Sequence, residues 1–343
     1  MEKIGVCKAV PQYENVNDGI GILEEIMAAV KHLVTVVIPV FNTGEAIRAA
    51  IRSIRRQDYP NLEVLLVNDG STDETMELAQ SEICDDERFR IVNKENGGLS
   101  SARNRGLEEA SGDLVIFWDS DDTQKENAIS TLVDAMDSAN ADVACCGLTR
   151  IRFDRSKVDL FTGRREVVSS GQAMEMWLRG DRISTGAVTK LCKTEMLRSK
   201  EIRFVEGEVN EDVIWTAEVI DASFSIAVTG IPLYNYISHE GSLSNSFSPA
   251  SLVVFDHCKQ LMAFIREKYP RLRRVCDRYC AEAIVSVASE GSRGRSFDNF
   301  QEEAIAASRE LRAFFPKVIA TGNLRMIAVS ALIISGLYRY LRY

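Results

Sequence analysis

The chain has 343 residues, 45% of them hydrophobic and 27% charged, enough apolar content to bury a sizeable core, which excludes a disordered or fibrous chain. Its eight cysteines are scattered and no positive-then-apolar secretory segment opens the chain, so a disulfide framework is excluded and a reducing cytosol is the compartment expected. The net charge of −9 is uneven: from Pro249 onward 15 Lys plus Arg face 9 Asp plus Glu, a local +6 against −15 before it, so the acidic body argues against nucleic acid as a partner while the basic tail suits an anionic membrane surface.

Residues 1–33 carry a short helical pattern, Ile22, Leu23, Ile26, Met27 and Val30, and read as an appended extension. The β-branched run VTVVIPV (34–40) predicts a buried strand, EAIRAAIRSIRRQ (45–57) a helix and LEVLLVNDG (62–70) a second buried strand. A helix from about Asp73, the strand RIVN (90–93), a helix over SSARNRGLEEA (100–110) and the strand DLVIFWD (113–119) continue the alternation. Repeated βα units of this kind imply an α/β fold, a mainly parallel sheet with helices on both faces. Beyond Asp142 the pattern is less regular, with DVACCGLTRIRF and SKVDLFTGRREVV as strand candidates and GQAMEMWLRG as a short helix. From Pro249 the chain reads as helical, with breaks expected at Tyr269-Pro270, at 290–296 and at Phe315-Pro316.

Ligands of such sheets bind outside the carboxyl ends of the strands. There the four expected strands end in PVFNTGE, VNDGSTDE, NKENGG and WDSDD, delivering Asn42, Asp69, Asp73, Asn96, Asp119 and Asp121 to one rim. Ser71, Thr72 and Asp73 also make good helix caps and ENGG a plain turn, but capping leaves Asp69 unexplained. A calcium loop starting at Asp119 fails, because Gln124 stands where glycine is required and Ser130 where the bidentate glutamate belongs. Asp-x-Asp suits Mg²⁺ or Mn²⁺, which takes few protein carboxylates and completes its shell with phosphate oxygens and water. No GxxxxGK[ST] loop or GxGxxG turn is present, so a diphosphate ligand would be held through the metal. The cysteines complete no zinc set.

VVIPVFN, VNDGSTDET, ENGGLSSARNRG, FWDSDD and NEDVIW follow one another as they do in family 2 glycosyltransferases of the GT-A fold. Over residues 34–245 the chain resembles the members of that family that build bacterial capsules and exopolysaccharides. The resemblance implies a domain at 34–248, with a nucleotide half (34–141) and an acceptor half (142–248), followed by a C-terminal helical region at 249–343. It implies contacts to a nucleotide diphosphate sugar, of UDP type, from Pro39, Phe41, Asn42, Asp69, Asn96, Gly97, Arg103, Asp119 and Ser120. It gives Asp121 and Asp119 to the metal, with His239 as a further ligand, and makes Asp212 the catalytic base, with Glu211 as the alternative. The activity implied is inverting transfer of the sugar to a hydroxyl of a saccharide, lipid-linked in surface polysaccharide synthesis.

Read without the resemblance, Asp212 also suits the N-terminus of the helix that follows it, and a lone loop histidine such as His239 is more often incidental. Two rival functions predict other features. A sugar nucleotidyltransferase would place a basic, glycine-rich loop after the first strand, where PVFNTGEA has one glycine and no Lys or Arg. A receiver-like binding module with an acidic pocket would need only about 120 residues, an ordinary single-domain length, and would leave the motifs beyond residue 150 unused. The last segment, MIAVSALIISGLYRYLRY (326–343), is uncharged from Met326 to Tyr338, too short to span a bilayer, which takes about 20 residues. It leaves three partners open for that helix: a membrane surface, the protein's own core, or a second copy of the chain in a homodimer.

Overall fold

The structure is a computed structural model, and residues 32–238, 247–292 and 300–336 are described. The helical pattern expected before His32, the metal-ligand candidate His239 and the tyrosines and arginines after Gly336 fall outside the described residues.

Continuous apolar runs become strands buried on both faces. The elements in order are β1 (Val34–Val40), α1 (Ala46–Arg55), β2 (Leu62–Asn68), α2 (Thr75–Ile83), β3 (Phe89–Asn93), α3 (Leu99–Glu109), β4 (Leu114–Phe117), β5 (Thr123–Gln124) and α4 (Ala128–Ala139). Then follow β6 (Val143–Ile151), β7 (Lys157–Leu160), β8 (Glu166–Ser169), α5 (Ser170–Leu178), β9 (Lys190–Lys193), α6 (Thr194–Ser199), α7 (Asp212–Ala222) and β10 (Ser225–Ile237). Four longer helices close the described chain: α8 (Val253–Lys268), α9 (Arg273–Gly291), α10 (Gln301–Ala320) and α11 (Leu324–Ile334).

The strand order is β3-β2-β1-β4-β9-β6-β10-β5, with β7 beside β6 and β8 beside β10. From β3 to β4 all neighbours are parallel, and Val37 of β1 sits between Leu65 and Phe117. β9 runs antiparallel to both β4 and β6, so one short reversed strand joins the first parallel group to the parallel pair β6–β10. Side chains alternate across the sheet with period two. Val36, Ile38, Val64, Leu66 and Ile116 meet α1, α2 and α4 on one face. Val37, Leu65, Val67, Val115 and Phe117 meet α3, α5, α7 and the C-terminal helices on the other. α3 approaches β1 so closely that a Cβ on Gly106 would lie 2.1 Å from Val37 Cγ1, which demands glycine there.

The break expected at Phe315-Pro316 does not occur, because α10 runs through Pro316 to Ala320. Proline costs one helical hydrogen bond and crowds the preceding turn, but Leu311, Phe314 and Val318 are buried on both sides of it and hold the helix in register. α11 buries Met326 and Ile333 in the same core, so one face of this tail helix packs on the protein itself.

Candidate active site

The parallel run from β3 to β4 brings four loops to one edge. Behind Pro39 in β1, Phe41 emerges half-exposed and Asn42 adopts a positive φ of 46°. Asn42 ties the first loop to the second, accepting the Thr72 N–H at 2.9 Å and donating its own N–H to Ser71 Oγ at 3.2 Å. Asp69 is buried and turned inward. It accepts hydrogen bonds from Lys94 Nζ at 2.5 Å and from the N–H groups of Gly97 and Gly98 at 2.9 and 2.8 Å, while its carbonyl accepts from Asn96 Nδ2 at 3.0 Å. Gly98 stands at φ 86° directly before α3, so Asp69 also lies where the positive end of a helix dipole favours an anion. Its carboxylate fixes the loop that carries Asn96 and Gly97.

The three carboxylates after β4 divide between two environments. Asp122 is buried, accepting from Tyr234 Oη at 2.6 Å and the Ile237 N–H at 2.7 Å. Burial, with Asp119 and Asp121 nearby, pushes its pKa up to about 8. It therefore anchors the loop to β10, while Asp119 and Asp121 remain partly exposed at the rim. Ser120 Oγ lies 2.7 Å from Thr43 Oγ1, which ties this loop to the one after β1.

Residues 142–248 meet this rim through Arg103 as well as through Tyr234. Arg103, on α3 and 1% exposed, donates from Nη2 to Asp119 Oδ1 at 2.9 Å and from Nη1 to Glu211 Oε1 at 2.6 Å and Asp212 Oδ1 at 3.1 Å. Its guanidinium lies 5.1 Å from the Phe204 ring centre, and Phe204 stacks on Trp215 at 4.8 Å with Phe117 edge-on to both. The aromatic wall excludes water from one side of the cation and strengthens its field on the carboxylates. Burial would weaken the guanidinium as a base, but Asp212, Asp119 and Glu211 more than offset this and hold its pKa above the ordinary value.

One cation facing three carboxylates leaves the cluster short of positive charge. Burial, reinforced by Asp212, lifts Glu211 to about 7. Burial also raises Asp212, against the opposing pull of Arg103 and Lys190. Glu211 is buried, whereas the Asp212 side chain is 20% exposed at the head of α7. Asp212 therefore combines a raised affinity for protons with access from solvent, the combination a general base requires.

Among the described residues no group of three or more His, Cys, Asp or Glu side chains is arranged to hold a metal ion. Asp119 and Asp121 instead offer hard oxygen donors from a single loop, and Arg103 engages one oxygen of Asp119. That donor set fits Mg²⁺ or Mn²⁺ sharing its coordination with a diphosphate, and does not fit a metal held by protein alone. A cavity of about 500 Å³ at the opposite edge, lined by His32, Asp113, Asn140, Lys193, Glu195 and Arg198, shares none of the rim residues.

The structure thus brings together Asp119, Arg103, Glu211 and Asp212, and links the loops of Asn42, Asp69, Asn96, Gly97 and Ser120. Sequence reasoning missed Lys94, Tyr234 and Lys190, each of which supports a rim or base residue. Lys94 lies in the quoted loop NKENGG, where a basic residue beside an acidic rim was the available signal.

Residues 35–190 match the family model described as Glycosyl transferase family 2. The chain is 39% identical over 222 residues to the glycosyltransferase GlyG of Streptococcus pneumoniae serotype 4, covering 62% of this chain and 72% of that one. It is 28% identical over 215 residues to the uncharacterised glycosyltransferase YibD of Escherichia coli K12, covering 61% of this chain and 62% of YibD, so it spans less than two thirds of that relative. Its fold superposes on residues 1–349 of S. aureus TarS, solved in complex with UDP-GlcNAc, with a TM-score of 0.66 at 20% identity over 89% of both chains. The fold is GT-A.

Proposed function

Because the chain belongs to glycosyl transferase family 2, we propose that it transfers a sugar, with inversion, from a UDP-type nucleotide sugar to a hydroxyl of a saccharide acceptor. The observation that carries this reading is the Arg103 cluster, which joins Asp119 at the strand ends to Glu211 and Asp212 beside them. A single displacement needs the leaving group and the base on opposite sides of one anomeric carbon, and Arg103 holds the Asp119 loop and Asp212 in one site where a sugar can lie between them.

In this reading the acceptor oxygen attacks the anomeric carbon, its proton passes to Asp212, and the bond from that carbon to the diphosphate oxygen breaks as UDP leaves. One displacement inverts the centre and needs no carboxylate nucleophile, unlike a retaining glycosidase. Mg²⁺ or Mn²⁺ held by Asp121 and Asp119 would supply charge neutralisation for the leaving diphosphate. Phe41 offers an exposed aromatic face beside Asn42 and the buried Asp69, suited to a nucleobase. Asp69 acts by fixing the Asn96–Gly98 turn, and Arg103 acts on the donor through Asp119. Glu211 shares the Arg103 cation with Asp212.

The TarS complex with UDP-GlcNAc supports the choice of a UDP donor. A lipid-linked acceptor would bring the enzyme to an anionic membrane surface, where the +6 region from Pro249 onward is attracted. No helix among the described residues is long and apolar enough to cross a membrane. Melting the protein with a panel of nucleotide sugars, with Mn²⁺ or with chelator, tests the donor assignment, since a ligand that binds only the native state raises the melting temperature. A rise with UDP-sugars that needs Mn²⁺ is expected. Equal curves for every nucleotide sugar would remove the donor assignment.

A further inference from the structure

Lys190 is completely buried at the start of β9. A buried ammonium is costly unless its protons are satisfied, and here Nζ donates to Ser184 O at 2.7 Å, Thr185 O at 3.3 Å and Gly186 O at 2.8 Å. Three carbonyl acceptors require all three protons, so the geometry specifies the charged form although burial lowers the pKa of the amine. Among the described residues no carboxylate contacts the ammonium directly. Its charge is spent on folding the turn 184–186 around itself.

That turn abuts the base. The Ala187 N–H faces the Asp212 carboxylate and favours its ionised form, and a Cβ on Gly186 would lie 3.9 Å from Asp212 Oδ2. Thr216, one helical turn beyond Asp212 in α7, straps the same turn by donating to Thr185 O at 2.6 Å. Trp177 Nε1 donates to Thr185 Oγ1 at 3.0 Å, and Tyr279 Oη of α9 lies 3.3 Å from the same oxygen. The charged groups around Asp212 are then Arg103, Glu211 and, through Arg103, Asp119 on one side and Lys190 on the other.

We propose that Lys190 is a positioning residue for the base, its buried ammonium gathering the 184–186 carbonyls into the turn that presents the Ala187 N–H and a second positive charge to Asp212. The assignment rests on Asp212 being the base. Arg103 meets that carboxylate from the donor side and Lys190 from the acceptor half, so the two cations set its position and protonation from different elements of the fold.

The test compares wild type, Lys190→Met and Asp212→Asn in Mn²⁺, using UDP-GlcNAc as donor and water as acceptor. For Lys190→Met, kcat falls about 10- to 100-fold, as small misplacements of a reacting group do, while donor KM stays within about twofold of wild type because the residue lies away from the rim. Removing a cation raises the pKa of a carboxylate, so the acid limb of the kcat profile moves up by about one pH unit. A purely structural role would lower stability and leave the limb in place.

Asp212→Asn separates the failures. Full turnover there removes the base assignment and this inference with it. A dead Asp212→Asn beside a Lys190→Met with wild-type kcat and limb removes only the inference. If Lys190→Met does not fold, Thr216→Val unties the same turn with the cation kept: a lowered kcat supports the proposal and a wild-type kcat overturns it. Urea unfolding of Lys190→Met, Asp212→Asn and the double variant carrying both reads the coupling without turnover. A non-additivity of about tenfold in the unfolding constant is expected for groups coupled through one turn, and strict additivity contradicts it.

Discussion

Replacing Arg103 by Met keeps an unbranched chain against Phe204 and deletes the cation shared by Asp119, Glu211 and Asp212. Removing one partner of a buried ionic cluster costs about 3–5 kcal/mol when the remaining charges stay ionised. These carboxylates have a second course, which is to protonate. Glu211 already stands at about 7 against an ordinary 4.5, a difference of about 3 kcal/mol between its ionised and neutral forms. A carboxyl whose folded pKa is raised binds more protons folded than unfolded, so its presence disfavours the fold progressively as pH rises from 4.5 toward the folded pKa. Without Arg103 the folded values climb further and the window widens. In buffer containing chelator, urea unfolding followed by fluorescence of the buried Trp118, Trp177 and Trp215 is expected to show a loss of about 3–5 kcal/mol at pH 8 and a clearly smaller loss at pH 5.5. A loss equal at both values, or below about 1 kcal/mol at pH 8, the level of a surface ion pair, would refute the account of the cluster.

Asp212→Asn is expected to lower turnover by about 10²–10⁴-fold, the contribution of a general base, with donor affinity by calorimetry unchanged; near-normal turnover passes the role to Glu211. Asp121→Ala is expected to abolish Mn²⁺-dependent binding of UDP while the melting temperature without metal is kept, and unchanged affinity in Mn²⁺ counts against the metal assignment. Hydrogen bonds from Arg52 and Arg48 hold Glu82 down to about 2, so its stabilisation is present above about pH 4.5 and is lost as pH falls through about 2; acid titration of Glu82→Gln should show a smaller drop than wild type over that range, and an equal drop contradicts the pairing. Sedimentation with anionic vesicles should carry the full chain down at low salt and release it as salt screens the basic region, whereas no binding at low salt removes the membrane assignment.

The sequence announces residues 34–141 well, because β1, β2 and β4 are apolar runs followed by polar residues at their carboxyl ends. It announces residues 142–248 poorly. β9 is four residues with a lysine at each end, and nothing in KLCK shows that it will lie between β4 and β6. β10 is interrupted by Gly230 at φ 66° and Pro232, where its register on β6 shifts. Asp119, Asp121 and Asp212 were legible as motifs, since each sits at the edge of an apolar segment. The partners of Arg103 at 211 and 212 lie more than a hundred residues away, and a pairing fixed only by sheet order leaves no local trace. The same holds for Tyr234, which reaches Asp122 from β10. Pro316 shows the reverse error, a strong local signal overridden by burial of the flanking turns.

In the proposed reaction this rim performs a single, base-assisted displacement at the anomeric carbon of a nucleotide sugar. It is tested most directly by proton NMR of the sugar first released when the enzyme, with Mn²⁺, turns over an α-linked UDP-sugar with water as acceptor, read before mutarotation. Inversion gives the β anomer from wild type, with almost no release from Asp212→Asn. The α anomer, or equal release by the two proteins, would contradict it.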